Sequence, residues 1–110
     1  MSELSENLRN MRLMRGYSIK EVASNIGCAP NSIANYEKGT ISPNVDMLQD
    51  LCNFYKISPN QVFGWEHCPE LEDFINEKKA IMEKLNNLHK QKADIEKQIR
   101  SLAKQLNQRQ

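Results

Sequence analysis

Residues 18–39, SIKEVASNIGCAPNSIANYEKG, decide the fold. Ser18 followed by Glu21 is a capping box, in which each side chain satisfies a free backbone N–H of the other residue and so starts a helix. Val22, Ala23 and Ile26 recur at helical spacing and form its inner face. Gly27 stops it, because glycine enters the left-handed region without steric cost. Pro30 suits the first turn of a second helix, where its missing N–H is not needed. Ile33 and Tyr36 point inward, and Lys38-Gly39 closes the helix. The stretch therefore reads as two short helices joined by a sharp turn. Small Ala23 and Gly27 allow a close crossing, and the second helix leaves Asn31, Ser32 and Asn35 on its outer face.

Helical patterns continue on both sides. Leu4, Leu8, Met11 and Met14 predict a first helix over Leu4 to Arg15, ended by Gly16 with Arg15 in the last turn. Asn44 is expected to cap a fourth helix whose buried stripe is Val45, Leu48, Leu51, Cys52 and Tyr55. Ser58-Pro59-Asn60-Gln61 is a second capping box and opens a short fifth helix with Val62 and Phe63. No segment alternates like a strand. Residues 65–69 are a linker, with the Trp65 indole expected to cover the base of the head. From residue 70 the apolar steps alternate between three and four: Leu71, Phe74, Lys78, Ile81, Leu85, Leu88, Lys92, Ile95, Ile99, Leu102 and Leu106. That is a heptad seam on one long helix, interrupted by two lysines. At about 1.5 Å per residue it makes a rod roughly 60 Å long, whose stripe must pair to leave water.

The totals bound what the chain does. It has 110 residues, 26% of them charged and 6% aromatic, with a net charge of +1. Residues 1–69 carry six Lys/Arg against seven Asp/Glu, and residues 70–110 carry nine against seven. Any affinity of the head for nucleic acid must therefore come from local placement of charge and helix N-termini. Cys28, Cys52 and Cys68 are odd in number and widely spaced, so no disulfide framework follows; Cys28 and Cys52 are expected as packed thiols. No run approaches the roughly 18 apolar residues of a membrane span, and MSELSENLRN has no signal-peptide core. His67 and Cys68 lack a second ligand pair at zinc spacing. No phosphate-cradling glycine loop and no nucleophile elbow is present. A non-enzymatic, cytoplasmic chain without cofactor, metal or small-molecule ligand is expected.

The residues Leu8-Arg9-x-x-Arg12-x-x-x-Gly16-Tyr17-Ser18, Glu21-Val22-Ala23, Gly27, Ser32-Ile33-x-x-Tyr36-Glu37-x-Gly39 and Pro43-x-x-x-x-Leu48-x-x-Leu51 resemble the Cro and lambda-repressor-type (XRE) helix-turn-helix family. The likeness spans roughly residues 4–64. It implies an all-α fold: a five-helix lambda-repressor-like DNA-binding domain over residues 1–64, followed by the coiled-coil helix over residues 70–110. It also implies that the helix from Pro30 is the recognition helix. Asn31, Ser32 and Asn35 would then touch base edges, where an asparagine amide pairs bidentately with adenine N6/N7. No arginine lies on this face, which favours A·T-leaning contacts. Phosphates would be held at the N–H groups of Ile19 and Lys20, and by Lys38, Thr40, Ser42 and Asn44. Arg9 and Arg15 are weaker candidates. The family position of Arg12 implies an internal ion pair with Glu37. Two residues depart from the family: Ile19 stands where glutamine is common, and Pro30 where relatives often place a polar reader.

A head of this type joined to a heptad rod predicts a homodimer on a double-stranded DNA operator. The rod seam of Leu71, Phe74, Ile81, Leu85, Leu88, Ile95, Ile99, Leu102 and Leu106 would supply the pairing. A parallel pair suits half-sites about 34 Å apart. The run from acidic Glu70, Glu72, Asp73 and Glu77 to basic Lys97, Arg100, Lys104 and Arg109 favours the antiparallel pair instead. A hairpin at Asn86-Asn87 lacks a turn glycine. The expected function is a sequence-specific transcriptional regulator, a repressor of phage or mobile-element type. The rival is a protein-interaction module of anti-repressor or antitoxin kind.

Overall fold

The computed structural model describes residues 3–108, and these form six helices with no strand. They are α1 (Glu3–Arg15), α2 (Ile19–Ile26), α3 (Pro30–Lys38), α4 (Val45–Tyr55), α5 (Pro59–Val62) and α6 (Pro69–Gln108). Local chemistry sets most of the boundaries. Ser18 Oγ accepts from the Glu21 N–H at 3.1 Å, and Glu21 Oε1 accepts from the Ser18 N–H at 3.1 Å. Ser58 and Gln61 repeat the arrangement at α5. Asn44 Oδ1 accepts from the Met47 N–H at 2.8 Å and starts α4. Gly27 ends α2 at φ 84°, a left-handed geometry that an L side chain would strain. At α4 the same left-handed cap falls on Lys56, at φ 58°.

Contacts divide the chain into two units, Met1–Ile75 and Asn76–Gln110. The core of the first is Leu8, Met11, Val22, Ala23, Ile33, Leu51, Cys52, Tyr55, Ile57, Val62 and Leu71. Each fully buried Val or Leu there contributes about 1.5–3 kcal/mol relative to exposure. Helix α3 packs on both α2 and α1. The Asn7 amide, buried in α1, donates to the Val62 carbonyl at 2.9 Å and ties α1 to α5. Cys28, Cys52 and Cys68 are free thiols, and burial pushes the Cys28 and Cys52 thiols up, which favours their neutral form.

Three readings of the sequence need correction. Val45, assigned to the buried stripe of α4, is 81% exposed. It is the first residue of its helix, ahead of the turn that packs, and Met47 takes the inward role. Trp65 does not cover the head: it is 75% exposed and stacks on Phe63, with ring centroids 4.6 Å apart. Leu71, the first position of the expected rod seam, is only 5% exposed and belongs to the head core. Its apolar surface is taken up within one chain, because the first turns of α6 belong to the first unit. Ile75, off the heptad seam, also packs there.

In the second unit α6 presents Ile81, Leu85, Leu88, Ile95, Ile99, Leu102 and Leu106, each 46–65% exposed. Phe74, just before this unit, is half-buried. Lys92 is exposed on the same helix. Arg109, counted in the basic end of the rod, lies outside the described residues.

Candidate nucleic-acid interface

One stripe of α3 carries the candidate readers. Asn31 and Lys38 are exposed, and Ser32 and Asn35 are half-buried. Positions 31, 35 and 38 follow at steps of four and three, which places them on one helix face. The opposite face buries Ile33 and Glu37. Pro30 occupies the first turn and Gly39 closes the helix at φ 78°.

The Arg12 guanidinium fixes α3 to α1. Its Nε donates to Glu37 Oε2 at 2.8 Å and its Nη2 to Glu37 Oε1 at 3.0 Å, a bidentate pair. Its Nη1 donates to the Tyr17 carbonyl at 3.0 Å. The two side chains are 12% and 6% exposed. Hydrogen bonding to Glu37 is the main reason the Arg12 guanidinium is held above its ordinary pKa, so it stays charged. Arg12 and Glu37 are thereby committed to each other.

At α2 the capping box uses the N–H groups of Ser18 and Glu21. The N–H groups of Ile19 and Lys20, in the first turn, have no intrahelical acceptor and are available to an anion. Lys20 is exposed and Ile19 half-buried. Ile19 and Lys38 line one open depression together with Arg9, Arg12, Ala34 and Glu37. The N-terminus of α2 and the C-terminal end of α3 thus border the same surface. Thr40, Ser42 and Asn44 follow along the exposed loop after α3. Asn44 has its oxygen engaged in capping α4, leaving its amide NH₂ as the free group.

Two features were missed in the sequence. The Thr40 hydroxyl lies 3.3 Å from both the Asn35 carbonyl and Asn35 Oδ1, and so steadies the central amide of the stripe. The signal was a Thr five residues after an Asn across a helix end, which is too common to single out. Arg15, a weaker phosphate candidate, faces elsewhere: its Nε and Nη2 donate to the Tyr55 carbonyl at 3.1 and 3.0 Å, and it pairs with Glu70. It satisfies the C-terminus of α4. His67 Nδ1 lies 3.1 Å from Glu72 Oε2. Among the described residues no three His, Cys, Asp or Glu side chains gather as metal ligands, and no helix is long and apolar enough to cross a membrane.

An all-helical head with a capped two-helix element and one exposed polar helix edge defines a helix-turn-helix domain. Residues 5–64 match the helix-turn-helix domain family, over half of the chain, and the protein belongs to that XRE-type family. It is similar to the HTH-type transcriptional regulator ImmR of Bacillus subtilis (strain 168), 28% identical over 85 residues that cover 77% of this chain and 67% of the relative. It is also similar to the cryptic phage CTXphi transcriptional repressor RstR of Vibrio cholerae, 38% identical over 53 residues that cover 48% of each chain. The matched stretch thus spans about half the length of the second relative. No solved structure matches this chain significantly.

Proposed function

We propose that the protein is a sequence-specific double-stranded DNA-binding transcriptional regulator, a cytoplasmic repressor of phage or mobile-element type that acts as a homodimer. The observation that carries this reading is the polar edge of α3. Asn31, Asn35 and Lys38 face outward on a helix locked from behind by a buried bidentate ion pair. In this reading Asn31, Ser32 and Asn35 read base edges from the major groove. The free N–H groups of Ile19 and Lys20, with Lys38, Thr40, Ser42 and Asn44, hold phosphates on either side. The family and the names of the two relatives support the assignment. The exposed apolar seam of α6 supports a coiled coil with a second copy, which pairs two heads for two half-sites.

The rival, a protein-interaction module built on the same fold, draws on the −1 balance of residues 1–69. Binding of the purified dimer to its own upstream DNA, titrated with salt, separates the two. A regulator loses affinity steeply as salt rises. Asn35→Ala relaxes base preference by about 1–3 kcal/mol at one position. Lys38→Ala weakens all sequences alike and lowers the salt slope by about 1. Equal affinity for upstream and random duplex at moderate salt would favour the rival.

A further inference from the structure

We infer that the Ile19 side chain, with Ala34 beside it, receives the C5-methyl group of a thymine, so that part of the base selection is apolar. The inference rests on the DNA-binding reading above and assigns a specificity residue within it. The depression between α1, α2 and α3 has a mixed lining of Arg9, Arg12, Ile19, Ala34, Glu37 and Lys38. Arg12 and Glu37 neutralise one another and are nearly buried. That leaves two exposed cations, Arg9 and Lys38, and two half-buried apolar side chains, Ile19 and Ala34, in the same lining.

Ile19 packs against the head core only in part, whereas the fully buried side chains of α2 are Val22 and Ala23. It sits at the first helical position, where its own N–H is free, and keeps part of its surface in water. Its β-branch restricts the side chain to few rotamers, so that surface is presented in a defined place. A cationic edge selects a polyanion, and the duplex meets it with phosphates. Within the major groove the apolar group on a base edge is the thymine methyl. An apolar spot that shares one depression with two phosphate-seeking cations therefore matches a thymine beside its backbone. The amides of Asn31 and Asn35 read the polar edges further along the same helix.

The test uses the full chain and a duplex selected by it from random sequence. Each thymine is replaced in turn by deoxyuridine, which removes the methyl group alone. The wild type should lose about three- to fivefold in affinity at one thymine per half-site, the size of one buried methyl. Ile19→Ala should bind the thymine and uracil forms of that site equally, while Ile19→Val retains the discrimination. Thermal melts establish that both variants fold. Replacements that are neutral at every position in the wild type would overturn the inference, as would an unchanged thymine preference in Ile19→Ala. If no sequence is selected at all, the DNA-binding reading fails and takes this one with it. Selective binding without methyl dependence defeats this one alone.

Discussion

Glu37→Gln is the sharpest perturbation of the head. The change keeps size and shape but removes the charge facing Arg12 and turns one acceptor oxygen into a donor. Arg12 makes three hydrogen bonds, two to Glu37 and one to the Tyr17 carbonyl. The variant keeps at most one of the two to residue 37 and sets an amide N–H₂ against a guanidinium N–H. A charged hydrogen bond is worth about 1.5–3 kcal/mol, and breaking a buried pair at one end costs about 3–5 kcal/mol, because the remaining charge is stranded. Arg12 is 12% exposed, so water recovers part of this, and about 3 kcal/mol is expected. At roughly 0.05–0.15 kcal/mol per residue, a unit the size of the head holds about 4–11 kcal/mol in all. Urea unfolding followed by fluorescence of Trp65, the single tryptophan, reports the head. Arg12→Met should cost a similar amount, and the double variant Arg12→Met/Glu37→Met much less than the sum, with a coupling of about 2–3 kcal/mol. Single changes that cost under about 1 kcal/mol, or that add, would refute the view that this pair locks α3.

Three other outcomes follow from the packing. Burial, and then the Glu37 carboxylate, raise the Tyr55 phenol above its ordinary value of 10.0. The unfolded chain therefore ionises first, and stability that is full below about pH 10 falls as the pH rises further. Tyr55→Phe should flatten that fall in urea midpoints taken from about pH 9 to about pH 11, and equal slopes would contradict the burial effect. Leu71→Ala should cost the head about 2–5 kcal/mol and leave association intact. Leu88→Lys should leave the Trp65 midpoint unchanged and halve the sedimenting mass. A Leu88→Lys protein that sediments like the wild type would end the coiled-coil proposal.

The helix ends were legible because their causes are local. Ser18 with Glu21, Ser58 with Gln61, Asn44 and Gly27 each act within four residues, and each holds its place in the structure. What the sequence hid is long-range. The Asn7 amide finds a carbonyl 55 residues away, and Arg15 one that is 40 residues away. No spacing rule joins such partners. Arg12 and Glu37, 25 residues apart, could be joined only through the family resemblance. Periodicity also cannot say whom a stripe meets. Leu71 and Leu88 occupy the same heptad seam, yet one is buried in the head and the other is 61% exposed. The polar stripe of α3 was readable from its period, but the Thr40 hydroxyl beside Asn35 depends on how the chain leaves Gly39.

The acidic balance of the head looks adverse to DNA until the carboxylates of α2, α3 and α4's first turn are placed. Glu37 is occupied by Arg12 and nearly buried, so it projects little field. The Glu21 carboxylate accepts the Ser18 N–H as half of a capping box. Asp46 sits in the first turn of α4, where the helix dipole accommodates a negative charge. On the cationic side, Arg9 and Lys38 line the depression that Ile19 shares, and exposed Lys20 stands next to Ile19 at the start of α2. Arg15 is withdrawn to the carbonyl of Tyr55 and to Glu70. A net charge counts all of these groups alike, whereas a duplex within a Debye length of about 8–10 Å responds to those that face it. With Glu37 in an ion pair and Glu21 in a cap, the exposed cations Arg9, Lys20 and Lys38 outweigh the carboxylates free to face a duplex at this depression, although residues 1–69 sum to −1. In the proposed reading, few phosphate contacts per head would make affinity modest, and a second copy paired through the rod would raise it through effective concentration without adding positive charge to either head.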